Sequence, residues 1–92
     1  MFYTYVLLCR DFIRKRSEIY IGFTEDLENR LAVHRSHSVQ TTKSFDKIDL
    51  IYYEACLDKT DAGRRELQLK TGFGRGYLKK RLESYLKRIS ID

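Results

Sequence analysis

Apolar and polar positions divide the chain into segments with two different periods. Residues 2–9, "FYTYVLLC", are aromatic and β-branched at their start and apolar on both alternating faces, which is typical of a strand covered on both sides. Residues 18–23, "EIYIGF", and 48–56, "IDLIYYEAC", predict a second and a third strand. The polar, basic residues 10–17 predict a long hairpin connection between the first two strands.

The segment after the second strand predicts a helix. Thr24 is followed by two carboxylates, and a hydroxyl cap with negative charge in the first turn is a signal for the start of a helix. We expect this helix over about residues 25–37, with Leu27, Leu31 and His34 on one stripe. The polar residues that follow predict a loop up to the third strand.

Two further helices are predicted after the third strand. One is expected to run from about residues 58–61 to Thr71, with Gly72 in the left-handed conformation that often ends a helix. After a glycine-rich connection, a last helix is expected over about residues 75–89, where apolar side chains recur at helical spacing. The order strand, strand, helix, strand, helix, helix predicts an α+β fold, with a three-stranded, mostly antiparallel sheet flanked by helices.

Length and charge limit the class of protein. A chain of 92 residues is expected to form one domain, residues 1–92, around one modest core. With 42% hydrophobic residues, the chain has enough apolar surface to fold rather than remain disordered. Eighteen lysines and arginines against thirteen acidic residues give a net charge of +5, which favours nucleic acid as a partner but equally suits a solvated surface.

The cysteines and the apolar runs bear on the cellular compartment. Cys9 and Cys56 lie in apolar runs and have no partners at metal-ligand spacing, so we expect buried, reduced thiols. No apolar run approaches the roughly 20 residues that cross a bilayer, and the chain does not start with a leader-like segment. These patterns predict a cytoplasmic protein that is not attached to a membrane.

Glu66 has the most unusual placement among the charged residues. On a helical wheel it lies about 40° from Ala62 and about 60° from Leu69, inside the stripe expected to face the sheet. A carboxylate there needs an ionic partner, water in a cleft or a metal ion, because burying an unpaired charge is unfavourable. The alternative is an ordinary surface ion pair with Lys70, one turn later.

Arg30, His34 and the tyrosines each allow two interpretations. Arg30 borders the apolar stripe of the first helix, so its guanidinium either reaches over the sheet edge or stays in water. A lone histidine on an apolar face, as at His34, is more often a hydrogen-bonded core residue than a catalytic base. Tyr5 and Tyr20 lie in adjoining strands, where tyrosines usually serve packing; a tyrosine acts as a general base when a nearby cation lowers its pKa.

Together these features resemble the GIY-YIG nuclease superfamily. The resemblance rests on "YTYVLL" (3–8) in place of the first motif, "YIG" (20–22) as the second motif, "DLENRLAVH" (26–34) and "DAGRRELQLKTGFGRGYLKKRL" (61–82). It covers nearly the whole chain, and the small, single-domain, uncharacterised members are the most similar. Tyr3 and Thr4 replace the glycine and isoleucine of the first motif, and Phe23 stands where excision-repair relatives have a lysine.

The resemblance implies a metal-dependent endonuclease that hydrolyses phosphodiester bonds. By position, Tyr5 and Tyr20 match the tyrosines of the two motifs, one of which helps to deprotonate the attacking water. Arg30 matches a helical arginine that stabilises charge on the scissile phosphate, and His34 matches a histidine with a supporting role. Glu66 matches the glutamate that binds one divalent ion, Mg²⁺ or Mn²⁺.

The implied substrate is DNA or a structured nucleic acid, with repair or recombination as the implied setting. A partner protein is expected to supply target selection, because the sequence offers no second domain. Two alternatives remain: a nucleic-acid-binding module without useful turnover, and a protein-interaction domain. The presence of Tyr5, Tyr20, Arg30 and Glu66 together favours the enzyme over both alternatives. Basic residues expected to contact nucleic acid are Arg14, Lys15, Arg16, Lys70, Lys79, Lys80 and Arg81.

Overall fold

The computed structural model describes residues 1–89 of the chain. Its three strands are β1 (Phe2–Asp11), β2 (Arg16–Thr24) and β3 (Lys47–Cys56). They form one antiparallel sheet in the order β2-β1-β3. The helices of the described residues are α1 (Leu27–Arg35), α2 (Lys59–Leu69), α3 (Gly72–Arg81) and α4 (Glu83–Arg88). This α+β architecture, an antiparallel three-stranded sheet flanked by helices, confirms the predicted fold class.

The central strand β1 carries a separate apolar cluster on each face. Its residues 4–9 are each at most 2% exposed, as the apolar run on both alternating faces predicted. On one face, the side chains of α1 pack against a cluster of Tyr5, Leu7, Cys9, Phe45 and Ile48. On the opposite face, β1 and β2 meet α2 and α3 in a cluster of Val6, Ile21, Leu69 and Leu78. The two sides of the sheet are therefore covered by different helices.

The hairpin between β1 and β2 is tighter than predicted. Strand pairing continues to Asp11 and Arg16, so the connection comprises residues 12–15 instead of 10–17. Lys15 adopts a left-handed φ of 53°. The Asp11 carboxylate accepts hydrogen bonds from the backbone N–H groups of Ile13 and Arg14, at 3.2 and 3.1 Å. Such side-chain bonds to the following backbone are what stabilise a tight turn at an aspartate.

Helix α1 is shorter than the predicted 25–37, and its cap is a different residue. The Asp26 carboxylate accepts from the Asn29 N–H at 3.1 Å, which makes Asp26 the cap. Thr24 instead accepts from the Asp26 N–H, also at 3.1 Å, and so shapes the approach to the helix. The helix ends at Arg35, and the segment after it returns to the core at Phe45, which is 3% exposed.

The C-terminal region differs most from the prediction. The expected single helix over 75–89 is two helices, separated at Leu82. Gly72 does not end α2 in a left-handed conformation; it begins α3, and no glycine among residues 1–89 has a positive φ. Thr71 caps α3 by accepting from the Gly74 N–H at 3.2 Å. A Cβ on Gly74 would overlap the backbone of Leu69, so glycine allows α3 to start directly against the end of α2.

The two cysteines differ in exposure, and the described helices are not of the membrane-spanning type. Both cysteines are free thiols; Cys9 is buried as expected, whereas Cys56 is partly exposed at the end of β3, which corrects the prediction for that residue. Within residues 1–89, no helix has the length and apolar character needed to cross a membrane.

Candidate active site

Tyr5 occupies the sheet face that α1 covers, directly opposite Gly22 of β2. A Cβ on Gly22 would come within 2.5 Å of the Tyr5 hydroxyl oxygen and 2.7 Å of the ring carbon that bears it. Glycine therefore leaves the space that the phenol ring fills. A glycine within a strand permits the close approach of another group, and here that group is the side chain of Tyr5.

Two residues one turn apart on α1 bond the Tyr5 hydroxyl. Arg30 Nε donates to the phenol oxygen at 3.2 Å, and His34 Nε2 lies 3.0 Å from the same oxygen. Because an arginine only donates, the phenol oxygen accepts from Arg30, and the phenol O–H donates to His34 Nε2. The other ring nitrogen, Nδ1, lies 2.9 Å from the Thr42 hydroxyl, so a neutral His34 carries its proton there and donates it to Thr42.

Burial determines the charge state of this group. Burial, assisted by the charge of Arg30, lowers the pKa of His34 from 6.5 to about 4. Burial also raises the pKa of Tyr5 above its ordinary value, although the hydrogen bond from Arg30 acts in the opposite direction. The bond to Tyr5 is the main reason that the pKa of Arg30 is raised. At neutral pH, Arg30 therefore carries the charge of this trio, beside a neutral phenol and a neutral imidazole.

Tyr20 joins the group from β2. Its ring meets the His34 ring edge-on, with 4.8 Å between centroids, and its centroid lies 6.2 Å from that of Tyr5. Tyr20 is partly exposed, whereas Tyr5 is 1% exposed. Of the two motif tyrosines, Tyr20 is the one that keeps a surface for contact with solvent or substrate. We call Tyr5, Tyr20, Arg30 and His34 the tyrosine cluster.

Glu66 lies on the other side of the sheet, on α2. It follows Ala62 by one turn on the buried side of the helix, and its side chain is 18% exposed. Its carboxylate pairs with Lys70 Nζ at 3.6 Å, which is the surface-type pair that the sequence offered as the alternative. Within residues 1–89, no group of three or more His, Cys, Asp or Glu side chains could hold a metal ion. Glu66 would therefore offer an ion one carboxylate, without a second such ligand group around it.

Strand β2 separates Glu66 from the tyrosine cluster. Gly22 faces Tyr5 on one side, while the ring of its neighbour Phe23 would lie 4.0 Å from a Cβ on Gly63 of α2. Glu66 follows Gly63 by three residues and so occupies the same side of α2. Strand β2 is an edge strand of the sheet, and Glu66 and the tyrosine cluster lie on its opposite faces.

A groove of about 820 Å³ lies mainly on the sheet face that α3 covers, opposite the face of the Tyr5 ring, and residues 17–21 of β2, Tyr20 among them, belong to its lining. Its apolar lining comes from the sheet and from α3 and α4, and basic side chains also line it: Lys70, Arg75 and Lys79. Lys70 and Lys79 are predicted nucleic-acid contacts, and Arg75 was missed because glycines surround it in the sequence. Lys80 and Arg81 are exposed on α3 but do not line the groove.

The predicted basic contacts at the first hairpin are not equivalent. Arg16 lies 3.6 Å from Asp11 and 3.2 Å from Glu18, and its guanidinium stacks 4.6 Å from the Phe45 ring centroid. Arg14 is far more exposed, at 73%, with its Nε 3.9 Å from Asp11. Exposed Arg14 and Lys15 are thus better placed for phosphate than Arg16, whose charge is balanced by two carboxylates.

Comparison with known proteins identifies the family of the chain. The GIY-YIG catalytic domain model matches residues 1–81. The chain belongs to the GIY-YIG family. A UPF0213 protein of Bacillus pumilus (strain SAFR-032) is 30% identical over 91 residues, which cover 98% of this chain and 83% of the relative. A UPF0213 protein of Staphylococcus haemolyticus (strain JCSC1435) is 33% identical over 70 residues, covering 75% and 79% of the two chains. No solved structure matched the chain.

The GIY-YIG match includes all five residues for which the sequence predicted a catalytic or metal-binding role. Thr42 lies within the match but was not singled out. Its side chain is 1% exposed and holds His34, whereas the adjacent Thr41 is exposed. Nothing in the local sequence distinguishes these two threonines, because the difference arises from how the loop after α1 packs on the sheet.

Proposed function

We propose that this GIY-YIG domain is a divalent-metal-dependent endonuclease that hydrolyses phosphodiester bonds in DNA. Membership of the GIY-YIG family implies nuclease-type activity; the metal ion and the choice of DNA are the finer parts of the proposal. The observation that carries it is the convergence of Tyr5, Tyr20, Arg30 and His34 on one hydrogen-bonded and packed cluster. Tyr20 also belongs to the lining of a groove with basic side chains.

Arg30 is assigned to the phosphate. Hydrolysis adds negative charge to the phosphorus centre, and a fixed cation in a partly buried site stabilises that charge more strongly than a mobile one in water. The Nε bond to Tyr5 directs the guanidinium, and Tyr5 is itself held by His34. Tyr5 and His34 are therefore positioning residues in this account.

Tyr20 is assigned to the attacking water. It is the partly exposed tyrosine of the pair, and it lines the groove. Tyr5 is a poor candidate for this role, because burial raises its pKa and its proton is directed to His34. A base must reach the proton that it removes, so exposure favours Tyr20.

Glu66 is assigned to the metal ion. Mg²⁺ commonly takes one or two protein carboxylates and completes its shell with water and substrate phosphates, so a single partly exposed carboxylate on α2 fits this ion. When bound, such an ion lowers the pKa of water and neutralises charge on the leaving oxygen. The Glu66 carboxylate would bind the ion in place of its present partner, the Lys70 ammonium group. Lys70 would then be free to contact a phosphate.

Nicking of supercoiled plasmid DNA tests this function. We expect wild-type protein to nick the plasmid with Mg²⁺ or Mn²⁺ and not with EDTA, and Glu66→Ala to nick it at least about tenfold more slowly. Glu83→Ala is the matched control, because Glu83 forms the same type of pair with Lys87, at 3.4 Å, on the exposed side of α4. Plasmid binding without metal-dependent nicking would instead support a binding module without turnover.

A further inference from the structure

The turn of the first hairpin exposes two large apolar side chains next to two basic ones. Phe12 is 57% exposed and Ile13 is 87% exposed. Arg14 and Lys15 follow them and are also exposed. We call residues 12–15 the hairpin tip. Single exposed apolar residues are common on protein surfaces, but two adjacent ones on a protruding turn need a further reason.

The hairpin tip is held in one conformation by bonds at its base. Besides the two bonds that Asp11 accepts, the Phe12 N–H donates to Asp46 Oδ2 at 2.8 Å. The Arg10 guanidinium lies 5.8 Å from the centroid of the Phe12 ring. A group that is already ordered loses little conformational entropy on binding. The backbone that carries the two apolar side chains is therefore ordered before binding.

The charge of the hairpin tip identifies the kind of partner. Its two ionisable residues, Arg14 and Lys15, are both cationic. Two carboxylates lie at its base: Asp11, which is 7% exposed, and the exposed Asp46, and both accept hydrogen bonds from the backbone of the turn. Phenylalanine and isoleucine are among the side chains that enter DNA as wedges between base steps, beside basic residues on the phosphates. Two apolar side chains are a small anchor for a membrane surface, which takes up a larger apolar face.

We propose that the hairpin tip is a wedge that inserts Phe12 and Ile13 at a base step of duplex DNA while Arg14 and Lys15 contact the flanking phosphates. This inference rests on the proposed function for DNA as the substrate. It adds a second contact between the protein and the DNA. Because unstacking a base step costs free energy, the substrate class it specifies is a duplex that contains an easily unstacked step.

The strand geometry relates the wedge to the tyrosine cluster. Asp11 follows Tyr5 by six positions along β1, and a rise of about 3.4 Å per residue makes that about 20 Å. Stacked base pairs are also about 3.4 Å apart, so the same span corresponds to about six base-pair steps. One duplex along the β2 edge would meet both sites, with the strand cut about six nucleotides from the unstacked step.

A duplex that carries 2-aminopurine at a pyrimidine–purine step tests the wedge without metal. In EDTA, we expect wild-type protein to increase the fluorescence of the probe as the base unstacks. The Phe12→Ser/Ile13→Ser variant should bind at least about tenfold more weakly and leave the fluorescence at its free-duplex value. Leu57→Ser is the matched control, because Leu57 is an 85% exposed apolar residue outside the hairpin, and it should behave as wild type.

Three results would overturn the wedge. In the first, wild-type protein binds the duplex without changing the fluorescence of the probe. In the second, the double variant increases the fluorescence as much as wild type does. In the third, the double variant keeps its DNA signal but no longer binds phosphatidylserine vesicles, which wild type binds. Thermal unfolding of both serine variants checks that each is folded. Because the assay contains no metal, a positive signal with no plasmid nicking would refute the proposed function alone, and nicking without a signal would refute the wedge alone.

Discussion

Tyr5 is fixed by its neighbours on three sides, and this explains the glycine of the "YIG" motif in steric terms. Gly22 lies beneath the ring, and Arg30 and His34 bond its hydroxyl. The sequence alone indicated each of these residues and favoured a hydrogen-bonded core role for His34. The structure confirms that role, because His34 is buried and bonds both Tyr5 and Thr42.

Replacing Gly22 with alanine should displace the phenol. The added methyl group would overlap the Tyr5 hydroxyl, so we expect the free energy of unfolding to fall by about 1–3 kcal/mol. Gly76→Ala is the control: Gly76 lies within α3 with nothing close to a Cβ, and alanine there should stabilise the protein slightly. Urea unfolding measures both, and a Gly22→Ala protein as stable as wild type would refute the steric account.

Thr42→Val should disturb His34 without changing the size of the side chain. The valine cannot accept the Nδ1 proton, so we expect a loss of about 1–3 kcal/mol in stability. Nitrogen-15 NMR of the imidazole should show the Nδ1–H tautomer in wild type and in Thr42→Ser, and its loss in Thr42→Val. Thr41→Val, at an exposed position, is the control. The same tautomer in all four proteins would contradict the assigned chain.

The pH dependence of stability follows from His34. Its pKa is about 4 in the folded protein against 6.5 for an exposed histidine, so between these values the unfolded state binds more protons. Stability should therefore fall as the pH decreases from 6.5 to 4, by about 2 kcal/mol. Urea unfolding of wild type and His34→Gln across this pH range isolates the contribution of His34. If the free energy of unfolding changed equally with pH in the two proteins, the prediction would be contradicted.

At the scale of elements, α2 is attached to the sheet by polar contacts as well as by packing. The Thr4 hydroxyl donates to the Ala62 carbonyl at 3.0 Å, and Arg65 bonds both carboxylate oxygens of Glu54 at 2.8–3.1 Å. Although burial opposes it, the bonds from Arg65 and Tyr52 lower the pKa of Glu54. These contacts set the position of the helix that carries Glu66.

Arg65→Met should loosen α2 because it leaves the partly buried Glu54 without its cationic partner, with only the bond from Tyr52 remaining. We expect a loss of about 1–3 kcal/mol in the free energy of unfolding. Arg64→Met, one residue away on the exposed side of α2, should change stability by less than about 0.5 kcal/mol. Chemical denaturation compares the two variants, and equal effects would show that the Arg65–Glu54 pair contributes no more than a surface charge.

The elements that the sequence predicted well are those in which one signal dominates. The strands have long apolar runs, and the first cap is displaced by only two residues because carboxylate and hydroxyl caps compete. The division at Leu82 was not predictable, since Leu82 fits the helical spacing of both α3 and α4. The glycines at 72–76 suggested a connection, yet Gly74 serves contact between two helices, which local sequence does not reveal.

At the scale of the whole molecule, the tyrosine cluster was predictable from motif order, while the position of Glu66 relative to it was not. Residues 5, 20, 30 and 34 meet because β1, β2 and α1 pack consecutively. Glu66 lies on the opposite face of the sheet, on the side of α2 that faces the edge strand β2. Long-range packing of this kind has no signature in a single sequence.

The central claim is that Arg30 acts on a scissile phosphate within the tyrosine cluster. The most direct measurement is the initial rate of Mg²⁺-dependent plasmid nicking by wild type, Arg30→Ala and Arg35→Ala, with each protein confirmed as folded by thermal unfolding. Arg35 is an exposed arginine on the same helix and serves as the control. We predict that Arg30→Ala nicks about a hundredfold more slowly and that Arg35→Ala nicks at the wild-type rate. Equal rates for Arg30→Ala and wild type would contradict the assignment.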